Sequence, residues 1–395
     1  MLNNNAPNGM INIAKSLFLM TILSLPVISQ ADLPNSVKVL EQMEQVANWQ
    51  VPRIDDLSYL DYKRGESLEQ GRWVQGAFYI GLTELAERSN NPFYKNWINF
   101  KVNQLNWQLG KIHYFGDDQL IAQTYLWYYF KQQKSEQFLQ PTIDAFDKII
   151  QANSDVSLEF TKEKNKEGLN PCQKRWCWAD ALFMAPATWF GMSQATGDQK
   201  YSDYAHKEVQ ATVNYLFDPQ YQLLYRDSRF INQKDEFGNQ VFWSRGSGWV
   251  FAGLARIMEY IPKSDPKRIY YETLFLKMAA KLKSLQKQDG TWAMSLLAKE
   301  SMPQPETSGT AFFTYGFAWG INQGLLDKNE YLPHVSLAWE ALNNAVHTNG
   351  KLGWVQQIGA APGNVSYEDS QIYAVGAYLL AGAEIFDLQN NSTLK

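Results

Sequence analysis

Histidine and cysteine are scarce in this 395-residue chain, which has four His and two Cys. A Ser/His/Asp or Cys/His nucleophilic arrangement therefore has no local support. Cys172 and Cys177, five residues apart, have no His at metal spacing, which excludes a zinc site. No glycine-rich phosphate loop occurs. There is no basic stripe either: 36 Lys and Arg face 40 Asp and Glu, a net charge of −4, which excludes nucleic acid as a partner. An acidic substrate stays open wherever a local Arg can meet it. Alternating Val, Ile and Thr over five or more residues is hard to find, so little sheet is expected. No Pro/Gly/Ser linker divides the chain. Its one long hydrophobic run, SLFLMTILSLPVIS (16–29), is too short and too lightly flanked for a membrane span.

That run is read as an address. Lys15 precedes it and Ser29-Gln30-Ala31 supplies a small-x-small cleavage pattern, so residues 1–31 are expected to be a signal peptide. The mature protein would begin near Asp32 as one domain over 32–395, periplasmic or secreted, with no membrane span after processing. In an oxidising compartment Cys172 and Cys177 can close a small disulfide loop; two buried thiols are the alternative.

What the chain has in plenty is aromatic and apolar helix. Hydrophobic residues make up 45% and aromatics 14%, with 14 Trp, enough for a sizeable core. Six segments carry apolar residues at spacings of three and four: 73–89, 120–133, 180–197, 247–262, 309–326 and 372–386. A loose repeat underlies them, in which a helix ends, a polar loop follows and an aromatic opens the next helix. Tyr94, Phe138, Tyr201, Tyr270 and Tyr331 mark it, 44, 63, 69 and 61 residues apart. Five recurrences and a final helix pair give six helical hairpins. Several helices are apolar nearly all round and rich in Ala and Gly, which suits an inner ring buried on two sides. The expected fold is all-α, an (α/α)6 barrel, with an open solenoid as the alternative. Chemistry is expected where loops meet the inner-helix ends.

Four stretches place polar groups there. FGDDQLIAQTY (115–125) holds Asp117 and Asp118 at a helix start, where an acidic pair suits capping. The two cannot share a face, so one is free to point elsewhere. RWCWADALFMAP (175–186) sets one carboxylate, Asp180, among aromatics; it is either a structural tie or a general acid with a burial-raised pKa. FWSRGSGWVFAGL (242–254) flanks Arg245 with Trp243 and Trp249. Indole faces stack on sugars, a guanidinium forks onto a carboxylate, and the two glycines would let backbone approach a ligand. In PETSGTAFF (305–313), Thr307 or Ser308 is expected to cap the next helix. Together these describe a carbohydrate site with an acid and a cation for an acidic sugar. Asp117 or Asp118 with Asp180 would supply two carboxylates.

WADALFMAPATW, SQATGDQKY and WSRGSGW together resemble the unsaturated rhamnogalacturonyl hydrolases of glycoside hydrolase family 105, related to the unsaturated glucuronyl hydrolases of family 88. The resemblance runs from about Trp73 to Phe386. It implies an (α/α)6 barrel that removes the 4,5-unsaturated uronic acid left at chain ends by polysaccharide lyases, on oligosaccharides of rhamnogalacturonan or ulvan type. The implied reaction is hydration of a vinyl ether, with no metal or organic cofactor. On this resemblance Asp180 is the acid/base and Asp117 best matches the second carboxylate, with Asp118 the alternative. Trp73 faces the unsaturated sugar, while Trp243, Arg245 and Trp249 hold the uronate and its ring. Trp176 and Arg226 are counted with the substrate-binding residues. Arg226, in LLYRDSRF, stands where many relatives carry His, and an extra cation there points to a more acidic or sulfated substrate. Gly116, where glucuronyl hydrolases tend to have His, leans towards family 105. The partner is an acidic oligosaccharide and the protein a monomer or homodimer. Two other readings keep the same platform: an unsaturated glucuronyl hydrolase acting on other lyase products, and a non-catalytic glycan-binding protein.

Overall fold

The computed structural model describes residues 33–60, 69–132 and 135–393; the expected signal peptide lies outside the described residues. The long helices are α1 (Ser36–Gln50), α2 (Trp73–Arg88), α3 (Phe93–Gln104), α5 (Ala122–Lys131), α6 (Gln140–Ala152), α8 (Pro186–Thr196), α9 (Gln199–Leu216), α10 (Ser244–Tyr260), α11 (Arg268–Leu285), α12 (Thr307–Asn322), α13 (Lys328–Asn344) and α14 (Ile372–Thr393). Two four-residue helices precede inner helices: α4 (Gly116–Gln119) before α5, and α7 (Ala181–Met184) before α8. The strands β1 (Phe217–Asp218) and β2 (Leu223–Leu224) form one short antiparallel hairpin, with Phe217 opposite Leu224.

Helices α2, α5, α8, α10, α12 and α14 form a closed ring, each packing on the next and α14 returning to α2. These are the six apolar segments, and their burial explains the pattern. Every residue of α12 from Thr307 to Ile321 is buried, as is every residue of α10 from Ser244 to Met258. A helix with neighbours on all sides must be apolar or internally bonded all round. Close approach within the ring requires glycine: a Cβ on Gly81 of α2 would sit 2.3 Å from the Gly376 carbonyl oxygen of α14.

The outer layer obeys the other rule. Helix α9 buries Tyr201, Ala205, Val209, Thr212, Val213 and Leu216, a single stripe at helical spacing. Each repeat aromatic lies near the start of an outer helix, where it packs inward. Tyr94 belongs to α3, Tyr201 to α9, Tyr270 to α11 and Tyr331 to α13, and Phe138 immediately precedes α6. The architecture is the expected (α/α)6 barrel, with one difference in connectivity. The sixth outer helix is not the neighbour of α14 in sequence but α1, the first helix, which packs on α14 and closes the circle. No helix among the described residues is long and apolar enough to cross a membrane.

Candidate active site

The N-terminal ends of the inner helices converge on a cavity of about 230 Å³. Trp73 opens α2, Asp117 lies in α4, Asp180 immediately precedes α7, and Arg245 and Trp249 occupy the first turns of α10. All five line this cavity, together with Arg226. Positive helix ends gathered in one place favour anions.

Asp180 is placed by a local strand-like contact. Trp178 and Asp227 form an antiparallel bridge, and the Ala179 N–H donates to the Arg226 carbonyl at 2.7 Å. This sets the next side chains against each other: Arg226 Nε donates to Asp180 Oδ2 at 3.1 Å. Burial pushes the Asp180 carboxyl above its ordinary value, and the charges of Arg226 and Arg245 pull only part of the way back. The two readings of Asp180 thus coincide: it is tied to a neighbour, and it is biased towards its neutral form.

The acidic pair divides its labour. Asp118 is buried and accepts from Arg72 Nε at 2.8 Å and from the Ile112 N–H at 2.7 Å. Burial raises its pKa, against the Arg72 charge. Asp117 faces the cavity opposite Asp180. Neither caps a helix as expected, because α4 is a single turn entered from Phe115 without a side-chain cap. Nor does Thr307 or Ser308 cap α12. Glu306 does, accepting from the Ser308 and Gly309 N–H groups at 3.0 and 2.8 Å.

Arg245 holds the cavity wall more than it reaches into it. Its Nη1 donates to the Gln356 carbonyl at 2.9 Å and to the Tyr373 hydroxyl; its Nη2 donates to the Gln357 and Gly359 carbonyls at 3.1 and 3.3 Å. The fork expected to grip a carboxylate is thus occupied by the loop that supplies Ile358, Gly359 and Ala360 to the cavity. Trp243 is correspondingly a backing residue, outside the lining. Its ring lies 4.3 Å under the Arg245 guanidinium and its Nε1 donates to Gln356 Oε1 at 2.7 Å. The glycines of this motif serve packing, not ligand approach: a Cβ on Gly246 would meet the Trp243 ring at 3.1 Å, and one on Gly248 would meet Phe312 at 3.1 Å.

Trp176 does not belong to the cavity. It is buried between α8 and α9, edge-on to Trp189 and Tyr204, because two extended residues carry the chain about 6.5 Å away from Trp178. Trp178 lines the cavity instead, stacked on Phe115 with centroids 5.3 Å apart. Sequence reasoning missed Trp178, Phe115, Arg72, Gln173 and Met184. Their signal was present in the quoted motifs, but the motif spacing does not say which aromatic faces inward. Cys172 and Cys177 are joined in a disulfide, with Cα atoms 5.7 Å apart, closing the loop that carries Gln173.

The model of Glycosyl Hydrolase Family 88 matches residues 42–389 of this chain. The chain belongs to that family. It is a glycoside hydrolase, and the expected kinship is met by the family given above as the related one. The chain is 39% identical over 348 residues to an unsaturated 3S-rhamnoglycuronyl hydrolase of Alteromonas sp. strain LOR, covering 87% of this chain and 84% of the relative. It is 36% identical over 325 residues to a protein of the same name from Formosa agariphila, covering 80% and 85%. Among solved structures, a glycosyl hydrolase family 88 protein from Bacteroides vulgatus superimposes with a TM-score of 0.77 at 28% identity, over 90% of this chain and 99% of that one. A possible family 105 member from Salmonella enterica shares the fold at 14% identity, with a TM-score of 0.69 over 96% of this chain and 100% of that one.

Proposed function

We propose that this family 88 hydrolase removes the 4,5-unsaturated uronic acid from the non-reducing end of lyase-generated oligosaccharides, of rhamnogalacturonan or ulvan type, by hydrating a vinyl ether. One observation carries this reading. Asp180, biased towards its neutral form, and Asp117 face one small cavity walled by Trp73, Trp178 and Trp249. A cavity of this size admits a chain end but not a chain interior. The names of the Alteromonas and Formosa relatives support the same substrate class.

The chemistry follows from the residues. Asp180 arrives protonated and gives its proton to C4 of the C4=C5 double bond, leaving positive charge shared between C5 and the ring oxygen. Water adds to C5, and its proton passes to the ionised Asp180 or to Asp117. The C5 hemiketal then opens by breaking the bond to the ring oxygen, and the resulting C1 hemiacetal releases the rest of the chain. Asp180 is thus both acid and base. The positive charges of Arg226 and Arg245 offset the uronate carboxylate, and the indole walls hold the flattened ring. Residues 1–31 act as a signal peptide, and the Cys172–Cys177 disulfide suits the periplasm or the medium.

The test is to add defined lyase products and follow the ultraviolet absorbance of the conjugated double bond. It falls as substrate is hydrated. Unchanged absorbance across pectic, ulvan and glycosaminoglycan digests contradicts the reading.

A further inference from the structure

Beside the cavity, one buried carboxylate serves two guanidinium groups. Asp227 Oδ2 accepts from Arg226 Nη1 at 2.6 Å and from Arg229 Nη2 at 2.8 Å; Oδ1 accepts from Arg229 Nε at 2.9 Å. Burial works against charge on Asp227, but the two arginines outweigh it and hold the carboxyl below its ordinary value. Phe160 supplies a floor: its ring lies 4.0 Å from the Arg229 guanidinium carbon and 6.0 Å from that of Arg226. The two cations are therefore neighbours, fixed in place before any ligand arrives. They also differ in depth. Arg226 lines the cavity with its side chain 14% exposed, whereas Arg229 stands outside the lining at 46%. Neither Arg226 Nη2 nor Arg229 Nη1 meets a hydrogen-bond acceptor among the described residues.

A single ion-paired arginine on a surface turn would be ordinary. Here the arrangement has a direction, from the buried acid Asp180 through Arg226 to half-exposed Arg229, which is the path a sugar chain takes as it leaves the cavity. The unsaturated uronate occupies the closed end, beyond the reach of Arg229. The anion that meets Arg229 must belong to the following sugar. We propose that Arg226 and Arg229, bridged by Asp227 and floored by Phe160, form a subsite for a sulfate ester on the sugar attached to the unsaturated uronate. Sulfate suits the pair because its several oxygens can accept from two guanidinium groups at once, at little ordering cost. A carboxylate on a later sugar shares the anionic chemistry, and the test separates the two sources.

This inference rests on the function proposed above. Its test uses matched lyase products, sulfated and chemically desulfated, with wild type and Arg229→Gln. The readout is the ratio of kcat/KM for the sulfated over the desulfated substrate. Loss of one half-exposed, charge-assisted contact predicts a fall in that ratio of about tenfold, carried by KM. Arg229→Lys keeps the charge without the fork and retains part of the ratio. Thermal unfolding shows whether either variant is folded, and the lysine variant carries the test if the glutamine variant is not. An unchanged ratio, or an equal loss on both substrates, overturns the sulfate subsite in favour of a structural role or a carboxylate contact. Failure of wild type to consume either substrate overturns the proposed function instead, so the two failures are distinguishable.

Discussion

The two ends of the inner ring hold similar residues and differ in what those residues can do. At the N-terminal end, Asp180 and Asp117 face a cavity with aromatic walls. At the C-terminal end, Glu84, Glu259 and Glu384 line a second cavity of about 510 Å³ with Arg88 and Asp387. Burial raises Glu259, and it raises Glu384 to about 8, so a perturbed carboxyl is not peculiar to the catalytic end. Partners make the difference. Arg256 Nη1 contacts both Glu84 and Glu259, at 2.9 and 3.1 Å. Arg88 joins Glu84 to Asp387, and Asn322 donates to Glu384 at 2.7 Å. These carboxyls sit at helix C-termini, where the helix dipole disfavours negative charge, and mutual ties absorb them. Near Asp180 the helix ends are positive and Trp73, Trp178 and Trp249 form a sugar-sized wall. A raised carboxyl pKa therefore marks a site only where there is something for the proton to meet.

Four substitutions can break this contrast. Asp117→Asn should cost about 100-fold in kcat with little change in stability, as removal of one acid/base partner does. Glu84→Gln should do the reverse, leaving kcat intact while the stranded Arg88 and Arg256 lower stability by about 3 kcal/mol, read by urea unfolding. If Glu84→Gln abolishes turnover while the protein stays folded, the assignment of chemistry to one end fails.

The next effect is on pH. Glu384 is raised from 4.5 to about 8, so between those values the folded state binds more protons than the unfolded state. The stability it contributes is fully present below the lower value and is lost as pH rises through the upper one. Tm should fall across that window, and Glu384→Gln should flatten the fall; an unchanged slope would exclude Glu384 as its source.

At the catalytic end the sign appears in activity. Arg226 lowers the Asp180 pKa, so Arg226→Gln should move the alkaline limb of the kcat profile to higher pH. A limb that stays put or moves down removes Arg226 from that role. The smallest effect belongs to Cys172→Ser with Cys177→Ser. Opening so short a loop should cost about 2 kcal/mol in unfolding experiments. KM should rise more than kcat falls, because the loop carries Gln173 to the cavity. Equal KM in both proteins would detach the disulfide from the site.

The inner ring was legible because two-sided burial leaves a mark at every position of a helix such as α12. The outer helices were legible from the aromatic that opens each one. The closure by α1 was not, since the contact joins opposite ends of the chain. The site shows the same limit. Asp180, Asp117, Trp73 and Trp249 stood in recognisable motifs, and the cavity contains them. What the motifs could not say is where each partner comes from. Asp118 is taken by Arg72, 46 residues away, and the Arg245 fork by carbonyls more than 110 residues on. Such pairings depend on the closed ring. Trp176 and Trp178 show it most simply, since two indoles two residues apart divide between core and cavity.

The central claim is that Asp180 delivers the proton to the double bond. The most direct measurement is the absorbance assay with Asp180→Asn on lyase-generated oligosaccharide, alongside thermal unfolding and substrate binding. The account predicts a folded protein that still binds substrate and loses about 1,000-fold or more of its kcat. A folded Asp180→Asn protein that consumes substrate at the wild-type rate would contradict it.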